Sequence, residues 1–225
     1  MSLALGREGV NVAVHYGASR SDAESLVKEL RETGVTASCL QANLAELDQA
    51  KALYAKAESL VGPISIVVNN ASVFPESSLA TFEPEDLYAN VDVHALAPLL
   101  IVRELKASGR RGSVLNFLDA MIADYDRKHA AYHLSKRMMY SLTRMMAMEF
   151  APQLRVNGIA PGLILPPEGK DESYLTSLAH SNPLNTHGNV EDIVEAALFL
   201  LKSDFVTGQV IYVDGGRNLR GNMYG

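Results

Sequence analysis

Cysteine is almost missing from this chain: Cys39 is the only one in 225 residues. That excludes a disulfide within the chain and a thiolate metal cluster, and it fits a reducing, cytoplasmic setting. Cys39 itself reads as a buried strand residue. Basic runs are missing as well. With a formal net charge of −6 and a sequence pI near 5.5, the chain offers no patch for nucleic acid or another polyanion. Long apolar runs are also absent. The longest, "ALAPLLIV" (Ala95 to Val102) and "AALFLL" (Ala196 to Leu201), fall well short of the roughly 20 residues of a membrane span. The opening residues have neither the basic start nor the apolar stretch of a signal peptide. Internal repeats and low-complexity linkers are not evident.

What is present is a chain 48% hydrophobic and 20% charged, enough for one substantial core and a single domain over residues 1–225. Six segments alternate or run apolar as short strands: Val10 to Tyr16, Thr36 to Gln41, Ile64 to Asn69, Ser113 to Leu118, Arg155 to Ile159 and Val210 to Val213. Helical patterns separate them at Ser21 to Thr33, Leu47 to Val61, Pro84 to Ser108, Ala131 to Ala151 and Val190 to Lys202. Asn189 with Asp192 forms an N-cap pair for the last. The first residues are odd. Ser2 to Glu8 has the composition of a helix tail that Gly9 would end, so the pattern opens partway along a helix.

Strands alternating with helices predict a doubly wound parallel α/β sheet, which places ligands outside the carboxyl ends of its strands. Chemistry-bearing residues do follow the strands: "HYGASRS", "NNASVF", "LDAM" and "APGLIL". Within "AYHLSK", Tyr132 and Lys136 stand one helical turn apart. A phenol is too weak an acid to release a proton readily at neutral pH, and an adjacent ammonium would lower its pKa. Such pairs are common by chance, so the dyad needs company. Asp119, at the end of "SVLNFLD", should lie at the rim beside Tyr132, although an aspartate there also serves as a turn former.

Taken jointly and in order, "NNAS" at Asn69 to Ser72, Asp119, Tyr132 with Lys136, "APG" at Ala160 to Gly162 and "VTGQVIYVDGG" at Val206 to Gly216 resemble the short-chain dehydrogenase/reductase family. The resemblance covers Val10 to the end. It implies a Rossmann-like fold, a homotetramer and nicotinamide-dependent hydride transfer, with Asp119, Tyr132 and Lys136 catalytic. Tyr132 would be the proton donor, and Lys136 would lower its pKa and hold the nicotinamide ribose. The implied cofactor contacts are His15, Tyr16, Ser19, Arg20, Asn43, Leu44, Asn70, Ala71, Ser72, Tyr132, Lys136, Pro161, Gly162 and Leu163.

The usual catalytic serine aligns with Asp119. With Ser72, Phe74, "HALAP" (His94 to Pro98) and "DGGRNLR", this is similar to the pteridine reductase branch, which implies a pterin substrate bound by Phe74, Asp119 and Tyr132. Reducing a pterin C=N bond needs a proton on a ring nitrogen, and the ring offers a donor-rich edge that suits a carboxylate better than a hydroxyl. Phe74 would stack on the flat ring, or else serve as a half-buried loop anchor. The family asparagine aligns with His94, and the aspartate that holds adenine aligns with Asn43. His129 and His133 read as surface or helix-packing residues, so no metal site is expected.

No acidic residue follows the first strand in "VHYGASRS". A carboxylate about 4 Å from a 2′-phosphate would cost roughly 4 kcal/mol at an effective dielectric of 20, so NADPH is the expected cofactor. Arg20 would reach the phosphate, or Arg20 and Ser21 would simply open the helix with Ser21 as N-cap. The family's strand and glycine-rich turn, which cradle the pyrophosphate, are not in this sequence. In the family's strand order that strand lies between the strands at Val10 and Ile64, so two unpaired ladders are expected there. Three functions stand open: an NADPH-dependent pterin reductase, a generic short-chain carbonyl reductase for which Asp119 is incidental, and a non-catalytic binding or assembly module.

Overall fold

In the computed structural model, residues 1–124, 126–167 and 169–222 are described, with no side chain taken for 123 and 220–222. Strand and helix alternate as the periodicity predicts. The order is α1 (Ser2–Arg7), β1 (Val12–Tyr16), α2 (Arg20–Glu32), β2 (Ala37–Gln41), α3 (Leu47–Val61) and β3 (Ile66–Asn69). It continues with α4 (Pro84–Val91), α5 (Ala97–Ala107), β4 (Gly112–Phe117), α6 (Ala130–Glu149), β5 (Leu154–Pro161), α7 (Glu172–Leu178), α8 (Val190–Lys202) and β6 (Val210–Val213). Gly9, at φ +78°, follows the end of α1 as expected of a residue that must turn the chain left-handed. Asn189 and Asp192 cap α8 reciprocally: Asp192 N–H donates to Asn189 Oδ1 and Asn189 N–H to Asp192 Oδ2, both over 2.9 Å.

Three local expectations are corrected. The N-cap of α2 is Ser19 rather than Ser21, and it makes no side-chain cap bond. Cys39 is only half-buried. The long helix from Pro84 is interrupted by a π-helical turn, Asp92–Leu96, between α4 and α5. A π turn admits one extra residue and rotates the following side chains, and such turns gather at functional sites.

The strands are parallel and covered by helices on both faces. Leu53, Tyr54, Ile101, Val102, Met139 and Met146 of α3, α5 and α6 pack on one face with Val67, Val114 and Val156. On the other, Leu5, Val27, Leu30, Ile193 and Leu200 of α1, α2 and α8 pack with Val12, Val14, Leu115 and Ile159. Val114 and Leu115 thus serve opposite layers from successive positions, as the period of a strand requires.

The strands do not form one continuous ladder. β1 pairs with β2, and β3-β4-β5-β6 form a separate four-stranded sheet. Between them lies a cavity of about 510 Å³, lined by Val12 and Val14 on one side, Ile66 and Val68 on the other, and Leu53 and Ile101 from the helices. The expected gap between the strands near Val10 and Ile64 is therefore held open, with a backbone edge on either side.

Candidate active site

At the carboxyl end of the four-stranded sheet, Asn116 joins three elements. Its Oδ1 accepts from Asn69 Nδ2 (2.8 Å) and its Nδ2 donates to Thr143 Oγ1 (2.9 Å). A fully buried amide must find partners for both ends. The result fixes where β3 and β4 stop relative to α6. Beyond β4, Leu118 N–H donates to Ile159 O (2.7 Å), carrying the ladder one residue further and delivering Asp119 to the rim.

Asp119 does two jobs. Its Oδ1 caps the short 3-10 turn Ala120–Ala123 by accepting from Met121 N–H (2.7 Å), and its Oδ2 accepts from the Tyr132 hydroxyl (2.8 Å). The turn former and the site residue are the same side chain. Arg137, the residue after Lys136, locks that turn to α6 by donating from Nε to Ile122 O (2.6 Å) and from Nη2 to Asp124 O (2.8 Å).

Tyr132 and Lys136 lie on the buried side of α6, and Lys136 Nζ sits 5.6 Å from the Tyr132 ring centre. Nζ donates to Phe117 O (2.9 Å). Burial pulls the Lys136 ammonium down to about 8, against a smaller opposing pull from Asp119. Tyr132 moves opposite to the sequence expectation: burial, reinforced by the Asp119 charge and hydrogen bond, pushes its phenol above the ordinary value. It is thus a held proton donor rather than a phenolate.

Phe74 also departs from expectation. Its ring is over half exposed, but it stacks on the His129 ring with centres 3.7 Å apart and planes 16° apart, and meets Tyr132 edge-on at 4.6 Å. His129 therefore occupies one face of the expected platform. Of the two readings for His129 and His133, surface or helix-packing, the geometry fits the second: both face Asp126, at 2.7 and 3.3 Å, and His133 is buried within α6. No group of three metal-ligating side chains occurs among the described residues.

The remaining predicted cofactor residues fall on two sides of the slot. His15 and Tyr16 end β1, and Ser19, Arg20, Asn43 and Leu44 follow β1 and β2. Pro161 ends β5, and Asn70, Ala71, Ser72, Gly162 and Leu163 follow β3 and β5. His15, Leu44, Asn70 and Ala71 line the same cavity. Several are already engaged. His15 Nε2 donates to Ala42 O (2.9 Å), and Arg20 pairs with Glu24 (2.8 Å) instead of reaching outward. Asn43 Oδ1 accepts from Ala45 N–H (3.1 Å). Gly162 has a packing reason to be glycine, since a Cβ would stand 2.6 Å from Asp214 Cα. Ser72 touches the site through His94, whose Nε2 lies 2.9 Å from Ser72 Oγ. Sequence reasoning missed Ser77, Asp126, Ser135 and Arg137, which touch the site residues from loops or the far side of a helix and carry no motif of their own.

A family profile described as Enoyl-(Acyl carrier protein) reductase matches residues 1–218. A 2-dehydro-3-deoxy-D-gluconate 5-dehydrogenase from Formosa agariphila is 30% identical, over 96% of this chain and 86% of that protein. Dihydromonapterin reductase from Citrobacter koseri is 30% identical, over 84% of this chain and 80% of that one. The crystal structure of FolM Alternative dihydrofolate reductase 1 from Brucella suis in complex with NADP superposes with a TM-score of 0.90 at 27% identity, covering 97% of this chain and 90% of that chain. With its parallel layers and its Asp119, Tyr132 and Lys136 at the strand ends, the chain belongs to the short-chain dehydrogenase/reductase family.

Proposed function

We propose that this chain is an NADPH-dependent reductase acting on a C=N bond of a dihydropterin or dihydrofolate. The hydrogen bond from the Tyr132 hydroxyl to Asp119 Oδ2 carries the reading. A proton donor whose proton is already parked on a carboxylate, with an aromatic ring beside it, suits a flat substrate rich in donors.

The residues fit a nicotinamide dinucleotide at one end. Lys136, Tyr132, the Asn70–Ser72 segment and Pro161–Leu163 would hold the nicotinamide ribose and ring. The fit is poorer at the pyrophosphate end, because the sequence supplies no glycine-rich turn there and the slot separates the two groups of contacts. When bound, NADPH supplies a hydride for the substrate carbon and leaves as NADP⁺.

The chain's own part is the proton. Tyr132 keeps its hydrogen at neutral pH because burial and Asp119 disfavour the phenolate. It gives it up only when the substrate nitrogen becomes basic as the C=N bond is reduced. The cation of Lys136 beneath the ring steadies the transient phenolate, and solvent returns the proton afterwards. Asp119, released from Tyr132, accepts from the amino-pyrimidinone edge and orients it.

NADPH oxidation followed with a dihydropterin, dihydrofolate and a panel of simple ketones tests this. The assay is run on the chain and on a form extended ahead of Ser2 by a strand and glycine-rich turn. Pterin turnover with poor ketone turnover is expected. Strong ketone turnover without pterin turnover would overturn the reading in favour of a carbonyl reductase. Activity with neither class in both forms would favour a binding module.

A further inference from the structure

Residues Ala71 to Glu76 are all exposed, yet they hold Phe74 edge-on to the Tyr132 ring and Ser72 against His94. A loop with so little packing would normally be free to wander. Its position must come from polar ties at its ends. We propose that His94 and Ser77 are positioning residues that bolt this loop to helix α6 and so set the distance between the Phe74 ring and the Tyr132 proton.

The first bolt runs through His94, which the π turn brings to face the loop. Val73 N–H can only donate, so His94 Nε2, 3.0 Å away, must be the acceptor. The ring hydrogen is therefore on Nδ1 and goes to Ser135 Oγ (2.8 Å). Ser135 in turn donates to Tyr132 O (2.7 Å). The Ser72 hydroxyl, 2.9 Å from Nε2, is left to donate as well. Every hydrogen in this chain has one direction, and reversing any of them would strand the Val73 N–H. Burial and the nearby Lys136 charge hold His94 down to about 3, so the same directions persist throughout the neutral range. His94 is therefore a fixed strut and not a proton relay.

The second bolt is Ser77. Helix α6 begins at Ala130 behind His129, whose side chain makes no cap bond. First-turn N–H groups need acceptors from somewhere. Ser77 O accepts from Ala130 N–H (2.8 Å) and Ser77 Oγ from Ala131 N–H (3.1 Å), while Ser77 N–H donates to Lys128 O (2.5 Å). A loop residue thus caps the helix that carries Tyr132 from outside. Phe74 lies between the two bolts, and its stack on His129 is a third contact to the same helix start.

This rests on the proposed function only for the identity of the ligand, so two measurements are paired. In the first, hydrogen–deuterium exchange of the full chain is followed for a peptide spanning Val73, with no ligand needed. His94→Leu should speed exchange there by about tenfold, the loss of one ordinary hydrogen bond. His94→Gln, which keeps an acceptor, should stay near wild type. In the second, a 2,4-diaminopteridine is titrated by fluorescence quenching. His94→Leu and Ser77→Ala should each weaken binding by about tenfold, His94→Gln should restore it, and the core truncation Val102→Ala should leave it unchanged. Unaltered exchange in His94→Leu overturns the proposal whatever the pteridine result. So does a loss of binding in Val102→Ala equal to that in His94→Leu. Altered exchange with no pteridine binding by any form upholds the bolt and sinks the pterin reading instead.

Discussion

Tyr132 donates its hydroxyl hydrogen to Asp119, while Lys136, its neighbour on the helix, turns its ammonium to the Phe117 carbonyl. The proposed acid of this site is therefore paired with an acceptor of the opposite character from the hydroxyl that the family usually places there. The chemistry follows from that pairing.

Removing the Tyr132 hydroxyl should cost most of the activity and little of the fold. Tyr132→Phe keeps the ring in its contacts with Phe74 and His94 and loses only the donor. A fall of about 100-fold or more in kcat is expected from general-acid catalysis, with an unchanged circular dichroism spectrum. Wild-type rates would show the dyad to be idle.

Asp119→Ser should exchange substrate preference. Serine can still cap the turn through Met121 N–H but offers no anionic acceptor for a pterin edge. Pterin turnover should fall by about tenfold or more, corresponding to about 1.4 kcal/mol, while turnover of simple ketones holds or rises. Steady-state kinetics with both classes decide it.

Lys136 gives the pH dependence its sign. Its ammonium is held near 8 when folded, below its ordinary value of 10.5. Between these values the unfolded chain carries the proton and the folded one does not, so raising pH across that window favours the folded state through this group. Chemical denaturation from pH 8 to 10 should show wild type gaining stability relative to Lys136→Met. Activity should move the other way, falling above pH 8 as the cation is lost.

The outer face of α6 should be an interface. Leu134, Met138, Met145 and Met148 share one side of the helix and are 41%, 41%, 58% and 84% exposed. Apolar side chains at such spacing on a surface mark an association face. A homotetramer is the expected state, and Met145→Glu with Met148→Glu should dissociate it in sedimentation velocity without unfolding the chain. A wild-type monomer at micromolar concentration would refute the interface.

Cofactor affinity should depend on what fills the slot. The chain of 225 residues is expected to bind NADPH weakly in a fluorescence titration, because its contacts are divided across the cavity and no glycine-rich turn meets the pyrophosphate. The form extended by such a strand and turn should bind much more tightly. Micromolar binding by the shorter chain would mean that another segment holds the phosphates.

The layers, the strand ends and the trio of Asp119, Tyr132 and Lys136 were legible because they rest on periodicity and on motif order. What was not legible depends on contacts between distant segments. No pattern in "SVFPESS" announces that the Ser77 hydroxyl will cap a helix N–H 54 positions later. The direction of the Tyr132 shift was misread because sequence shows a cation one turn away but not the burial that outweighs it. Phe74 was read as a platform, and only the fold reveals His129 lying across it. Asp126 went unnoticed between two histidines because its spacing matches no metal motif.

The open slot also decides how the molecule comes apart. Backbone hydrogen bonds tie β1 to β2 and β3 through β6 to one another, but none is shared between the two sheets. What joins them is side-chain contact, apolar packing through Leu53 and Leu5 and the Lys202–Glu8 ion pair (2.8 Å), which gives way more easily than a hydrogen-bonded ladder shears. In these 225 residues the segment from Val12 to Gln41 is expected to open as its own unit, although it shares an apolar layer with Leu115, Ile159 and Leu200. It should melt ahead of the four-stranded sheet, with the half of the site that carries Asp119 and Tyr132 outlasting the half that carries His15 and Arg20.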